Sequence, residues 1–247
     1  MKNLFTPLFK KLFILMIILF FILPVFAVEQ PDVKVEIKIF QEEYPALVAD
    51  LQIPIFTGFS NQQIQEKINQ KIEQDIYGFL NQLVEDSNEY LKIAQKEGWD
   101  SRKYTAQNNF QFHYLSSKVL SFSIIYYYYT LGAHGMTEQV SYNFDLGTAG
   151  ESIQIGDLFI NYSQYKELIN QEIKRQILTE KELYFNEGAD FKSISEDQPF
   201  YLEYDGLTAY FGLYELAPFA FGICYFKLPF GIFPGLSSDN LKYFWNH

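Results

Sequence analysis

The sequence Leu120-Ser-Phe-Ser-Ile-Ile-Tyr-Tyr-Tyr-Tyr-Thr130 predicts a long β-strand, because β-branched and aromatic residues fill most of it. Successive side chains of a strand point to opposite faces of a sheet. Tyr126 and Tyr128 therefore share one face, and Tyr127 and Tyr129 share the other. Since both faces carry aromatic rings, we expect a central strand that is covered on both sides. A platform on which sugar rings stack is the alternative role for these tyrosines.

Two further strands are predicted near the start of the chain. Val33-Lys-Val-Glu-Ile-Lys-Ile39 alternates apolar and charged residues, which predicts a half-buried strand with its apolar side chains inward. A second strand is expected from about Tyr44 to Ile53, ending before Pro54.

Near the other end, Phe200–Tyr204 and Leu207–Phe211 flank Asp205-Gly206. Asp-Gly is typical of a tight two-residue turn, so this segment predicts a β-hairpin.

Two amphipathic helices are predicted between these strands. Ser60 and Gln63 have the spacing of a capping box at the start of the first helix, and Gly98 is its expected stop. The second helix spans about Tyr162 to Leu178. The inward stripe of the first helix is spaced by four residues and consists of Ile64, Ile68, Ile72, Ile76 and Leu80. The chain is therefore predicted to be an α+β protein, in which antiparallel strands carry two main amphipathic helices.

Residues 1–27 have the pattern of an export signal. Basic residues precede the apolar run Leu12–Leu23, and Pro24 and Ala27 follow it at the places expected near a cleavage site. We expect cleavage after Ala27, which gives a periplasmic or extracellular protein. The alternative is a retained segment, residues 12–28, that anchors the chain in the membrane.

Charge and cysteine content restrict the partners and the chemistry. The formal net charge is −11, which disfavours nucleic acid, because nucleic-acid binding depends on Lys and Arg at phosphates. The same charge would attract a basic protein. Cys224 is the single cysteine, so no internal disulfide is possible, and its apolar neighbours predict a core residue. A reactive thiol is the alternative.

The sequence offers little that indicates catalysis. It has three histidines and no zinc-binding, nucleophile-elbow or phosphate-loop motif, so we predict no metal and no cofactor. His134 lies between glycines, and we expect its ring nitrogen to bind a backbone carbonyl in a tight turn. Contact with a ligand or catalysis are the alternatives, and Glu215 is then the candidate partner carboxylate. The candidate ligand-binding residues are His134, Tyr127, Tyr129 and Glu215.

Three ordered motifs resemble a known pair of bacterial domains. The motifs are Gly132-Ala-His-Gly135 after the aromatic strand, Asn143-Phe-Asp145 followed by Ile153-Gln-Ile-Gly-Asp-Leu-Phe159, and Phe200–Phe211 with Tyr214–Gly222 behind it. Together they resemble the paired domains of unknown function 4163 and 3298. The resemblance implies that residues 28–150 correspond to the first domain and residues 151–247 to the second, folded as one compact unit.

This family resemblance also implies a role in binding. Such pairs resemble the extracytoplasmic, lysozyme-binding part of an anti-sigma-V factor and the non-catalytic domain of a peptidoglycan deacetylase. We therefore expect an exported, non-catalytic binding domain of the bacterial envelope, whose partner is a lysozyme-like basic protein or cell-wall material. The alternative is an envelope hydrolase or other enzyme that acts on glycan or peptide, with His134 in its site.

Overall fold

The structure is a computed structural model that describes residues 33–160 and 162–234. The predicted signal, residues 1–27, lies outside the described residues. Within them the chain forms two sheets and two α-helices, so the α+β class is confirmed. The helices are α1 (Gln62–Glu97) and α2 (Tyr165–Ile177). The strands are β1 Lys34–Glu43, β2 Leu47–Thr57, β3 Tyr104–Leu115, β4 Val119–Tyr129, β5 Met136–Asp145, β6 Glu151–Ser152, β7 Phe200–Glu203, β8 Gly206–Phe211 and β9 Cys224–Pro229.

The large sheet has the strand order β1-β2-β3-β4-β5-β6, and the small sheet has the order β7-β8-β9. Every strand pair in the described part of the chain is antiparallel except β2 and β3, which run parallel from Leu47 beside Tyr104 to Asp50 beside Gln107. The expectation of purely antiparallel strands is wrong at this pair. Parallel neighbours need a crossover connection, and α1 provides it across one face of the sheet.

Helix α1 begins one residue later than predicted. Asn61 is its N-cap, and the Asn61 side chain accepts hydrogen bonds from the backbone N–H groups of Gln63 and Ile64, so the role predicted for Ser60 is wrong. Gly98 ends the helix in a left-handed conformation with φ 68°, as predicted. The predicted stripe is buried against the large sheet. Neither described helix is long and apolar enough to cross a membrane.

Strand β1 is more exposed than its alternation predicts. Val35, Ile37 and Ile39 were expected inward, but they are 37%, 38% and 55% exposed. The prediction is wrong because β1 is an edge strand whose face opposite α1 has no covering layer at this point. Strand β2 also runs through Pro54, because beyond Asp50 it pairs with β1 alone and one of its edges carries no ladder.

Strand β4 lies between β3 and β5, as a central strand should, but its two faces differ. The face of Tyr126 packs on α1 and belongs to the core. The opposite face is covered by the small sheet only near Ser121 and Ser123, which are fully buried. Tyr127, farther along the strand, is 37% exposed. The expected cover on both sides is therefore wrong for the second half of β4.

The hairpin of the small sheet turns one residue earlier than predicted. Glu203 pairs with Gly206, so Tyr204 and Asp205 form the turn. A Cβ on Gly206 would overlap the backbone of Leu228 and Pro229 in β9. Glycine is needed here because two backbones approach closely, and the turn itself does not require it.

The two sheets meet through small polar side chains that satisfy the edge of β7. Ser121 Oγ accepts from the N–H of Leu202 at 2.9 Å and donates to Asn143 Oδ1 at 2.7 Å. Asn143 Nδ2 donates to the carbonyl of Phe200 at 2.8 Å. These side chains take the place of a neighbouring strand, so backbone N–H and C=O groups at the edge of β7 form hydrogen bonds with the face of the large sheet.

His113 belongs to the same interface between the sheets. Its ring stacks on Tyr201 with centroids 3.8 Å apart, and its Nε2 lies 2.8 Å from Ser123 Oγ. Burial lowers the pKa of His113 to about 4. The folded chain therefore holds His113 neutral at pH values where the unfolded chain protonates it.

Stability is expected to fall as the pH drops from about 6.5 toward 4, because only the unfolded state takes up the His113 proton in that window. The ring is half-buried, so we expect a loss of about 1 to 2 kcal/mol, less than full burial would give. Chemical denaturation at about pH 7 and about pH 4.5 measures this loss. His113→Phe keeps an aromatic ring but cannot titrate, so it should show a smaller pH slope. Equal slopes in both proteins would contradict this assignment.

Candidate functional site

The open face of the large sheet, opposite α1, contains a row of five side chains that crosses five strands. Strand register places Gln41 beside Asp50, Asp50 beside Gln107, Gln107 beside Tyr127, and Tyr127 beside Thr137. Neighbouring strands lie about 4.8 Å apart, so the row extends about 19 Å. This arrangement requires a continuous register through the parallel and the antiparallel pairs.

This row forms the floor of a hollow of about 560 Å³. Gln52 and Asn109 add further amides, and Ile39 and Ile125 add apolar surface. Asp50 is the one carboxylate among the described lining residues, and it accepts a hydrogen bond from Gln41 Nε2 at 3.1 Å. We call this site the amide-lined hollow, because most of its polar groups are neutral carboxamides.

Tyr127 stands at the end of the hollow nearest the β4–β5 turn. Its ring lies against Gly135, where a Cβ would overlap both the ring and the hydroxyl. Tyr129, two residues along β4, shares this open face and pairs with Thr105. Two of the predicted ligand-binding residues therefore lie together on an accessible face, and Gly135 leaves space for the ring of one of them.

His134 is exposed in the β4–β5 turn and connects the two halves of the molecule. Its Nδ1 lies 2.9 Å from the carbonyl of Gly135, its Nε2 lies 3.0 Å from the Tyr214 hydroxyl, and its ring stacks on Phe219 at 3.8 Å. The Gly135 carbonyl can only accept, so Nδ1 carries the proton and donates. Both ring nitrogens are thus occupied by groups that hold the turn against the β8–β9 loop.

Glu215 does not join His134. It is exposed on the β8–β9 loop, and its Oε1 lies 2.8 Å from the place where a Cβ on Gly212 would be. The hydrogen bonds of His134 go to Gly135 and Tyr214, so no His–carboxylate pair forms here. The structure brings Tyr127, Tyr129 and His134 to one end of the molecule but leaves the Glu215 carboxylate out of their contacts.

Cys224 is fully buried in β9. Burial raises the pKa of its thiol to about 11, and the charge of Glu215 adds to this effect. A thiol in that state is protonated at neutral pH and is a poor nucleophile. Among the described residues, no group of three or more His, Cys, Asp or Glu side chains could hold a metal ion.

Two family models match successive parts of the chain. The model described as Deacetylase PdaC matches residues 40–137, and the model described as Protein of unknown function (DUF3298) matches residues 156–231. The chain pairs a PdaC domain with a DUF3298 domain. The PdaC segment holds α1, all five residues of the row and His134, whereas the DUF3298 segment holds α2, the small sheet and the Tyr214 and Phe219 that contact His134.

Solved structures with the DUF3298 name share this fold. A member of the DUF3298 family from Bacteroides fragilis is 20% identical with a TM-score of 0.65, and the match covers 85% of this chain and 95% of that one. A DUF3298 family protein from Pseudomonas aeruginosa is 11% identical with a TM-score of 0.54, and the match covers 81% and 91%. At these identities the likeness concerns the fold alone. A comparison with curated proteins finds no significant match.

The sequence did not predict a place in the site for Gln41, Asp50 and Gln107 of the PdaC segment. Gln107 and Asn109 alternate with the buried Ala106 and Asn108, so a polar outer face of β3 could have been read from the period of two. Which residues of β1, β2 and β4 lie in the same row could not be predicted, because lateral register depends on pairing between segments far apart in the chain.

Proposed function

We propose that this PdaC–DUF3298 chain is an exported, non-catalytic binding domain of the bacterial envelope that recognises cell-wall glycan in the amide-lined hollow. The observation that carries this proposal is the row from Gln41 to Thr137, which presents amide, carboxylate, phenol and hydroxyl groups on one accessible face. The family resemblance to envelope proteins and the signal-like residues 1–27 support the same location.

The lining matches the chemistry of a sugar. Each sugar hydroxyl both donates and accepts hydrogen bonds, and each carboxamide of Gln41, Gln107 or Asn109 offers an acceptor oxygen and two donor hydrogens. Tyr127 adds a partly exposed ring with a polar tip, which suits stacking against the apolar face of a sugar. Ile39 and Ile125 extend the apolar surface beside it.

Binding without hydrolysis suits this lining better than glycosidase chemistry. Hydrolysis of a glycosidic bond uses two carboxyl groups that flank it, about 5 to 9 Å apart. Among the described residues that line the hollow, Asp50 is the single carboxylate, and its oxygen accepts from Gln41. His134, the residue considered for catalysis, has both ring nitrogens engaged in the turn.

The protein is expected to bind both insoluble peptidoglycan and soluble N-acetylglucosamine oligomers, and Tyr127→Ala should weaken this binding by about 5- to 30-fold, a typical loss when an aromatic binding contact is removed. Gln107→Ala removes the amide next to Tyr127 and should act in the same direction. Sedimentation with peptidoglycan and calorimetric titration with the oligomers measure the two effects.

Trp99→Ala is the matched control, because Trp99 is 58% exposed at the end of α1 and does not line the hollow. It should bind as the unaltered protein does. The proposal is wrong if the unaltered protein binds neither glycan, or if Tyr127→Ala and Trp99→Ala bind equally well.

A second candidate partner is a basic protein such as a lysozyme. The net charge of −11 and the sequence pI of about 4.8 favour it through long-range attraction. Retention of the protein on immobilised hen-type lysozyme should then weaken as salt increases. If the Tyr127→Ala variant is still retained on lysozyme, the basic protein binds at a different surface from the glycan.

A further inference from the structure

A second pocket lies on the other face of the large sheet, between α1 and strands β4 and β5. Its volume is about 530 Å³. Successive turns of α1 form one wall, and the side chains of β4 and β5 that face the helix form the other. Strand β5 pairs with β6 only at Phe144 and Asp145, so the pocket opens at an edge of the sheet. We call it the α1–β5 pocket.

Aromatic rings line the inner part of the α1–β5 pocket. Phe79 of α1 packs on Tyr126 with ring centroids 4.6 Å apart and meets Tyr128 at 6.3 Å. Tyr142 of β5 completes the ring cluster. The negative faces of such rings attract a cation that approaches within about 6 Å.

Three carboxylates surround these rings. Glu138 lies on β5 directly beside Tyr126, and Asp75 and Asp86 lie on α1. Lys71, one turn before Asp75, is an ion-pair partner of Asp75 at 2.6 Å, and the Tyr142 hydroxyl donates to Asp75 at 3.0 Å. Among the described residues that line the pocket there are three carboxylates and no Lys or Arg, and Lys71 pairs with Asp75 from outside the lining.

Inside the pocket, the Tyr126 hydroxyl has no hydrogen-bond partner although the residue is only 4% exposed. The neighbouring Tyr142 hydroxyl donates its proton to Asp75 instead. Burial raises the pKa of Tyr126 to about 12, so the hydroxyl stays neutral and its oxygen can accept. A buried polar group without a partner destabilises the folded state, and a bound donor would remove that cost.

Gly78 of α1 leaves space on the helix side of the pocket. It lies in the middle of the helix, where glycine is less favourable than alanine. No atom lies within 4 Å of the place where its Cβ would be. The helix therefore carries an unfavourable residue at a point where a side chain would project into an open pocket.

We propose that the α1–β5 pocket binds an organic cation, a guanidinium or ammonium group on an apolar stem. The stem would pack on Phe79 and Tyr128, the charge would lie among the carboxylates, and one N–H would donate to Tyr126. An anion would be repelled by Asp75, Asp86 and Glu138. The proposal goes beyond the glycan function, because the amide-lined hollow lies on the opposite face of the sheet.

The probe is n-butylguanidinium, compared with n-butylurea, which has nearly the same shape but no charge. Titration of the purified protein, followed by tyrosine fluorescence, should show binding of the cation that is at least about tenfold tighter than that of the urea. Equal affinity for the two probes, or no binding of the cation, would overturn the proposal.

Three variants locate the binding. Glu138→Gln with Asp86→Asn should weaken it by about fivefold to tenfold. Tyr126→Phe removes only the unpartnered hydroxyl, so the fold should be retained while the affinity falls by about threefold or more. Gly78→Leu should stabilise the helix and fill the pocket, so that stability rises while affinity falls. Glu73→Gln, which removes an exposed charge of α1 that does not line the pocket, is the control and should bind normally.

The cation could be a free small molecule or a Lys or Arg side chain of a basic protein. Competition between n-butylguanidinium and hen-type lysozyme for the protein distinguishes these sources. Displacement supports a side chain, and cation binding without displacement supports a free ligand. If Gly78→Leu and the acidic double variant bind the cation as the control does, the pocket is not the site and the proposal fails.

Discussion

Replacement of Phe122 by alanine is expected to lower the free energy of unfolding by about 3 to 5 kcal/mol, the usual cost of removing a buried aromatic ring. Phe122 is fully buried at the centre of β4. Its ring stacks on Tyr142 with centroids 4.9 Å apart and meets Phe56 at 5.1 Å and Phe110 at 5.6 Å. These partners lie on three other strands and cannot all move inward to fill the space. Urea denaturation with a fixed m-value measures the loss.

Phe112→Ala is the matched control for Phe122→Ala. Phe112 lies beside Phe122 in the register of β3 and β4, but a bulge follows it and its side chain is 50% exposed. We expect Phe112→Ala to cost less than about 1 kcal/mol. Similar losses for the two variants would mean that the core is not organised around Phe122.

Asn143→Ala is expected to destabilise the protein by about 2 to 4 kcal/mol, because it removes one of the side chains that join the two sheets and leaves buried polar groups unsatisfied. The Phe200 carbonyl would lose its donor, and Ser121 Oγ would lose its acceptor. Asn143 itself is only 5% exposed, so water cannot easily replace it. Thermal and urea unfolding both report this loss.

Asn109→Ala removes the same side chain from an exposed position on β3 and should change stability by no more than about 0.5 kcal/mol. A loss for Asn143→Ala that is no larger than this control would show that the Asn143 side chain contributes little to holding the sheets together. A loss confined to the small sheet, seen by hydrogen exchange, would instead show that the two halves unfold separately.

The four tyrosines of β4 connect the two proposed sites. Tyr126 and Tyr128 line the α1–β5 pocket, and Tyr127 lines the amide-lined hollow with Tyr129 on the same face. Because a strand alternates its side chains, one run of tyrosines supplies aromatic rings to both faces of one sheet. A ligand at one site would therefore lie only a sheet's thickness from the other.

Local sequence patterns predicted the parts of the fold that depend on neighbours along the chain. The buried stripe of α1 and its stop at Gly98 are set by a period near four and by the left-handed conformation that glycine favours. The division of Tyr126 to Tyr129 between two faces follows from the period of two. These features need no knowledge of the distant chain.

Patterns that depend on what lies across the sheet were misread. Alternation on β1 predicts an apolar face but cannot tell that this strand is at an edge with no layer over it. Asp205-Gly206 has the composition of a turn, yet Gly206 is needed for close approach to β9. In both places the deciding neighbour is remote in sequence.

The sequence by itself determined the α+β class, the identity and inward face of α1, and the two-sided display of tyrosines on β4, because each follows from the geometry of a single element. Only the tertiary structure decided that Gln41, Asp50, Gln107 and Tyr127 stand side by side, and that Tyr126 faces an acidic pocket under Gly78. Lateral register and layer contacts arise from pairing between segments far apart in the chain, and a slip of one residue in any strand would send its side chains to the other face.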